Sequence, residues 1–173
     1  VRVPLDGDAR HDLAALGDAV RPDTSILIIC NPNNPTGTMV SAAEIEELLQ
    51  RVPESVCVVL DEAYREFVTS EPVDETLKLL DRFPNLVILR TFSKVYGLAA
   101  LRVGYGLCGS EEVRVAVDQV RQPFFCNSAA QAAAVEALNH RDEVQRRVDL
   151  VTRERARLVE LLEGAGLSVA ESN

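Results

Sequence analysis

Four short apolar runs recur along the chain, each bounded by charged, proline or glycine residues. Their length and their content of branched side chains are typical of buried strands. The runs lie at residues 25–30, 56–60, 86–90 and 103–108. Residues 1–5 form a further candidate strand, and residues 167–170 predict the beginning of another.

Segments with helical periodicity separate these runs. Ser41 and Glu44 have the spacing of a capping box, which predicts a helix that continues to about residue 51. The helices predicted along the chain cover residues 13–20, 41–51, 74–82, 110–120, 128–138 and 141–163. Strands that alternate with helices indicate an α/β domain with a mostly parallel sheet. The connection before residues 103–108 is too short for a helical crossover, so this strand is predicted to run antiparallel.

Composition narrows the class of protein. The 173 residues carry a net charge of −9, which argues against a nucleic-acid partner. The arginines between residues 141 and 157 share their helix with acidic residues, which predicts a solvated, ion-paired face. The four cysteines are widely spaced and include no Cys-x-x-Cys, so neither a disulfide framework nor a metal site is expected. With no signal-peptide pattern and no apolar run of membrane-spanning length, we expect a cytoplasmic protein without a membrane partner.

Polar clusters follow three of the predicted strands, around Asn34, Asp61 and Lys94. Because α/β folds place their ligands outside the carboxyl ends of the strands, we expect these clusters to meet at one edge of the sheet. Each residue also has an ordinary interpretation when taken alone. Lys94 can be a surface lysine, Asp61 a helix cap and Asn34 a turn residue.

The segment around Lys94 suggests a more specific chemistry. A half-buried lysine has a lowered pKa and can attack an aldehyde. Thr91, Ser93 and Arg102 lie close to it in sequence, and hydroxyls with a guanidinium hold phosphate well. A phosphate and an aldehyde on one molecule describe pyridoxal 5′-phosphate (PLP).

Three motifs carry a resemblance to a known family. They are Asn-Pro-Asn-Asn-Pro-Thr-Gly at 31–37, Asp-Glu-Ala-Tyr at 61–64, and Ser-Lys-x-x-Gly-Leu-Ala-x-Leu-Arg-x-Gly-Tyr at 93–105. Together they resemble the signatures of the fold-type I PLP-dependent aminotransferases. Residues 121–134 strengthen the likeness to histidinol-phosphate aminotransferases and their aromatic aminotransferase relatives. The resemblance implies a three-layer αβα fold, that of the aspartate aminotransferase-like large domain, in incomplete form.

The resemblance also implies roles for single residues. Lys94 would bond the cofactor and transfer a proton as the catalytic residue. Asp61 would pair with the pyridine nitrogen of the cofactor, and Asn34 and Tyr64 would bond its phenolic oxygen. The cofactor phosphate would be held by Thr91, Ser93 and Arg102. The implied partners are an amino donor, an oxo-acid acceptor and a second copy of the chain in a homodimer.

Members of the resembled family are longer, so an internal fragment of the large domain is expected. Residues 1–163 would belong to the PLP-binding large domain, including a long linking helix, and residues 164–173 would begin the small domain. We expect altered strand pairing, self-association or partial disorder, together with weak cofactor binding and no turnover by the chain alone. The competing functions are an aromatic aminotransferase, a PLP-dependent decarboxylase of amino acid phosphates and a non-catalytic PLP-binding regulatory domain.

Overall fold

The computed structural model of the protein describes every residue from Val1 to Asn173. It contains one sheet of four strands that pair in chain order. The strands are β1 (Ile26–Cys30), β2 (Cys57–Asp61), β3 (Leu86–Thr91) and β4 (Gly104–Cys108). The first three strands are parallel, and β4 runs antiparallel to β3. The predicted mostly parallel sheet and the predicted direction of the last strand are therefore confirmed.

Five α-helices connect and cover the strands. They are α1 (Leu13–Asp18), α2 (Ala42–Arg51), α3 (Glu111–Val120), α4 (Ser128–Ala137) and α5 (Arg141–Gly164). The predicted capping box is present, because Ser41 and Glu44 hydrogen-bond each other's backbone at the start of α2. The cap of α4 is Asn127 rather than Ser128, since the Asn127 side chain accepts the Ala130 N–H at 2.8 Å. None of the helices is long and apolar enough to cross a lipid bilayer.

Three predicted elements differ in the structure. Residues 1–5 form no strand, and Leu5 makes only an isolated bridge to His11. Residues 167–170 also form no strand, because no neighbouring strand pairs with them. The helix expected at residues 74–82 is a short 3-10 helix, Glu75–Leu79. Its candidate cap, Asp74, makes no capping bond and instead forms an ion pair with Arg90 at 2.9 Å.

The main core lies between the sheet and helices α1 and α2. Ile29, Leu60 and Ile88 from neighbouring strands are completely buried there against Ile45 and Leu48 of α2. A second, smaller cluster packs α4 against the segment after β3, with Phe92 and Ala130 at its centre. The edge strand β1 is covered on one face only, because Ile26 and Ile28 are 58% and 65% exposed. The core therefore holds β2 and β3 most firmly, and these strands lead into two of the polar clusters.

Replacing Ile88 by alanine is expected to lower the free energy of unfolding by about 2–5 kcal/mol, because it leaves a cavity at a completely buried position of the core. Ile28→Ala is the matched control, since it removes the same atoms from an exposed position and should cost less than about 1 kcal/mol. Urea titrations followed by circular dichroism measure both. Equal losses in the two variants would contradict the assignment of the core.

Candidate active site

The carboxyl ends of the three parallel strands meet at one edge of the sheet. Cys30, the last residue of β1, pairs with Asp61, the last residue of β2. Asp61 in turn pairs with Leu89 of β3, two residues before the end of that strand. The loops that carry the predicted site residues leave the sheet at this edge, as expected for a ligand site in an α/β fold.

The loop after β1 is fixed by a buried amide. The Asn31 side chain donates to the Val40 carbonyl at 2.8 Å and accepts the Val40 N–H at 2.9 Å. These two bonds close a turn that leaves Asn34 exposed at its tip. The Asn34 amide donates to the Tyr64 hydroxyl at 3.4 Å, which joins the loop to the segment after β2.

Asp61 ends β2 half-buried, and its carboxylate accepts the Ala63 N–H at 3.1 Å. This bond shapes the turn after the strand, and the segment continues into a single 3-10 turn at Arg65–Phe67 instead of an α-helix. Burial raises the pKa of the neighbouring Cys30 thiol, a hydrogen bond from the Asn34 backbone N–H acts against that rise, and the Asp61 charge adds to it. Residues from the ends of two strands are thus electrostatically coupled here.

Lys94 lies in a tight turn after β3. The turn is closed by the Gly97 N–H, which donates to the Lys94 carbonyl at 2.9 Å. Gly97 has a φ of +75°, in the left-handed region that favours glycine. The Lys94 amine lies 4.9 Å from the centre of the Tyr64 ring. An amine over an aromatic face is attracted to the ring in its charged form. Lys94, Tyr64 and Asn34 therefore form one connected group.

The three predicted phosphate-binding residues lie next to Lys94. The Thr91 hydroxyl accepts the Ser93 N–H at 3.0 Å. Arg102 has the left-handed φ of +56°, and its guanidinium donates to the Ser93 hydroxyl at 3.4 Å and to the Ala99 carbonyl at 2.7 Å. A cavity of about 350 Å³ lies at this point. Its lining includes Asp61, Thr91, Ser93, Lys94 and Arg102.

The structure thus brings all seven predicted residues together. Five of them line the cavity, and Tyr64 and Asn34 join them through the contacts described above. The sequence analysis missed Ala63 and Ala99, small residues that also line the cavity and carry no chemical signal of their own. A larger apolar cavity of about 900 Å³ lies beside Phe92 and Phe125, but no lysine lines it.

A buried ion network lies behind the site, and the sequence analysis did not identify it. Glu62 and Arg65 are completely buried, and Arg90 is nearly so. The Glu62 carboxylate accepts from Arg90 at 2.9 Å and from the Thr76 hydroxyl at 2.6 Å. Burial raises the pKa of Glu62, whereas the hydrogen bond from Thr76 and the charge of Arg90 act against that rise. The signal that could have identified Glu62 is the alternation of side chains along an extended chain, which places Glu62 on the face opposite to Asp61.

The family of the chain follows from comparison with known proteins. Residues 1–173 match the family described as aminotransferase class I and II. The chain belongs to this family, which uses PLP as its cofactor.

The chain is similar to two kinds of aminotransferase in this family. The chain is 46% identical to an aromatic amino acid aminotransferase of Streptomyces coelicolor, over 99% of this chain and 48% of the relative. It is 48% identical to a histidinol-phosphate aminotransferase of Bacillus velezensis, over 85% of this chain and 41% of the relative. The crystal structure of histidinol-phosphate aminotransferase from Sinorhizobium meliloti in complex with pyridoxal-5′-phosphate has a TM-score of 0.88 and 33% identity, covering 99% of this chain and 46% of that one. The chain therefore spans about half the length, or less, of these relatives.

Replacing Glu62 by glutamine is expected to lower the free energy of unfolding by about 3–5 kcal/mol, because it removes the fully buried carboxylate between Arg65 and Arg90. The two buried arginines would then keep only their outer partners, Glu71 and Asp74. Glu75→Gln is the control, since it removes a carboxylate from an exposed pair with Lys78 and should change stability by less than about 1 kcal/mol. Chemical denaturation provides both values. A Glu62→Gln protein as stable as the control would show that the network does not hold the strand ends.

Proposed function

We propose that the chain is the cofactor-binding part of a PLP-dependent aminotransferase. The observation that carries the proposal is the position of the Lys94 amine, 4.9 Å over the Tyr64 ring and beside a cavity that Asp61 also lines. Lysine, carboxylate and phenol come from segments that follow two different strands. Family membership and the PLP complex of the S. meliloti relative support the same chemistry.

The donor set fits PLP. Arg102 places a guanidinium beside the Ser93 and Thr91 hydroxyls, and only one of its nitrogens hydrogen-bonds within the chain. Free N–H groups next to hydroxyls are suited to a phosphate. Asp61 supplies a carboxylate for the ring nitrogen, and Asn34 with Tyr64 supplies donors for the phenolic oxygen.

The bound cofactor would supply an aldehyde and a protonated ring that accepts electrons from the substrate. The chain's own residues would do the rest. Lys94 would hold the cofactor covalently through its Nζ atom, and the Nζ amine, once released in exchange for the substrate amine, would carry a proton to and from the substrate carbon. The Asp61 carboxylate would keep the ring nitrogen protonated, and the Tyr64 hydroxyl would hold the phenolic oxygen with its negative charge.

For the substrate of the whole protein, we propose L-histidinol phosphate with 2-oxoglutarate as the amino acceptor. The products would be imidazole-acetol phosphate and L-glutamate, in histidine biosynthesis. The TM-score of 0.88 to the S. meliloti structure and the 48% identity to the B. velezensis enzyme support this assignment.

An aromatic amino acid such as phenylalanine is the second candidate. The specific observation in its favour is that the S. coelicolor relative matches over 99% of the chain at 46% identity, and a Nocardia farcinica aromatic amino acid aminotransferase matches over the same share at 48%. The two substrates differ in two groups. Histidinol phosphate carries an imidazole ring and a phosphate ester, where phenylalanine carries a phenyl ring and a carboxylate.

We also propose the organisation of the whole protein. Residues 1–163 would belong to its large domain, and residues 164–173 would begin a small domain. Two copies would form a cytoplasmic homodimer. The chain alone would bind the cofactor weakly and would not turn over substrate.

Incubation with PLP followed by borohydride reduction is expected to leave a stable adduct on Lys94. The chain contains only two lysines, Lys78 and Lys94, so Lys78 is an internal reference. Because a formed site raises the effective concentration of the aldehyde at Lys94, mass spectrometry should find at least about tenfold more adduct there than on Lys78. Before reduction, Lys94→Ala should abolish the visible absorbance of the lysine imine that exceeds that of free PLP, and Lys78→Ala should preserve it. Equal labelling of the two lysines would overturn the proposal.

Assays of the full-length protein with 2-oxoglutarate distinguish the two substrates. We expect kcat/KM for histidinol phosphate to exceed that for phenylalanine by at least about a hundredfold, because a site built for a phosphate leaves its donors unpaired when the phosphate is absent. The reverse ratio would support the aromatic amino acid instead. Turnover of neither compound, with Lys94 still labelled, would leave cofactor binding intact and reject both substrates.

A further inference from the structure

Arg147 of α5 reaches the turn that carries Lys94. Its Nη1 atom donates to the Val95 carbonyl at 2.8 Å, across 52 positions of sequence. Its Nε atom donates to Glu143, one helical turn earlier, also at 2.8 Å. The guanidinium is thus hydrogen-bonded both to a residue of its own helix and to the carbonyl of the residue that follows Lys94.

The turn is shaped to accept this side chain. A methyl group added at Gly97 would lie 3.0 Å from Arg147 Nη1, closer than most carbon atoms approach a nitrogen. The Val95 side chain is buried, so the carbonyl that Arg147 binds belongs to an anchored residue. The guanidinium therefore lies in close contact with the backbone at residue 97, where there is no side chain.

Arg147 differs in this respect from the other arginines of α5. Arg146 forms two hydrogen bonds with the same Glu143, at 2.7 and 2.8 Å, and makes no contact with the lysine turn. The hydrogen bonds from Arg146 and Arg147 lower the pKa of Glu143 to about 2, so the carboxylate stays charged near neutral pH. Arg146 fits the expected solvated, ion-paired helix face. Arg147 also pairs with Glu143, but its Nη1 atom binds the Val95 carbonyl outside the helix.

Helix α5 also contacts the 3-10 turn Arg65–Phe67, which follows the Asp61 and Tyr64 segment. One helix therefore contacts the segment after β2 and, through Arg147, the segment after β3. A shift of α5 would be transmitted to both parts of the candidate site.

We propose that Arg147 is a positioning residue that holds the Lys94 turn in the conformation needed for reaction of the amine with the cofactor. The inference rests on the proposed role of Lys94. Arg147 does not touch the amine, and it acts through the Val95 peptide. Its removal should loosen the turn while leaving Lys94, Asp61 and Tyr64 in the chain.

Hydrogen exchange of the cofactor-free chain tests the contact itself. In Arg147→Ala, deuterium uptake of a peptide covering residues 92–98 should be about three- to tenfold faster, because the turn loses a hydrogen bond from a charged donor. Arg146→Ala is the matched control, since it removes the adjacent arginine and its bonds to Glu143 but should leave uptake at residues 92–98 unchanged. Unchanged exchange in Arg147→Ala would overturn the proposal regardless of any cofactor.

Reductive labelling with PLP tests the consequence for the amine. The ratio of adduct on Lys94 to adduct on Lys78 should fall about three- to tenfold in Arg147→Ala. It should be partly restored in Arg147→Lys, which can still donate to the carbonyl, and be unchanged in Arg146→Ala. A general loss of structure would not give rescue by lysine, and circular dichroism checks that the variants fold.

The two ways of failing are distinguishable. If the unaltered chain does not prefer Lys94, the proposed function fails. If the unaltered chain prefers Lys94 and Arg147→Ala does so equally, the positioning role fails and the function stands.

Discussion

The buried ion pair between Glu62 and Arg90 is the constraint on which the site depends. It joins β2 to β3 one residue beyond Asp61 and one residue before Thr91. Taking two charges out of water is costly, and an apolar pair of similar size is often as stable. The main effect of the pair is therefore to fix the positions of the residues around it rather than to add stability. The pair sets the relative positions of two strand ends whose neighbouring residues, Asp61 and Thr91, line the same cavity. Hydrogen bonds from Thr76 to Glu62 and from Arg90 to the Val73 carbonyl hold the pair in this arrangement.

Much of the fold could be predicted from the sequence, because buried strands and capped helices carry strong local signals. The positions of the four strands and the direction of β4 followed from apolar runs and from one short connection. The elements that differed depend on distant partners. Asp74 has the chemistry of a helix cap, yet it pairs with Arg90, sixteen residues away, and the predicted helix shortens to a 3-10 turn. Residues 167–170 have strand-like side chains but no neighbouring strand within the chain to complete their hydrogen bonds.

The candidate site divides in the same way. Asn34, Asp61 and Lys94 could be predicted as neighbours, because parallel strands end at a common edge. The residues that hold them could not be predicted so directly. Glu62 occupies a motif position but faces the interior, and Arg147 lies among arginines that mostly bind acidic neighbours on their own helix. A charged side chain whose partner is fifty residues away gives no local pattern, so only the folded chain reveals its role.

Arg102 combines a strained backbone, which lowers the stability of the folded chain, with a guanidinium beside the cavity. Its backbone has a φ of +56°, which for residues with a β-carbon costs about 1 kcal/mol relative to glycine. Glycine at this position would relieve that strain, and it would also delete the guanidinium that lies beside the Ser93 hydroxyl. Selection for heat resistance alone would thus favour a protein without this positive charge at the cavity. The strained arginine indicates that the folded state gives up some stability in order to place a positive charge at this point.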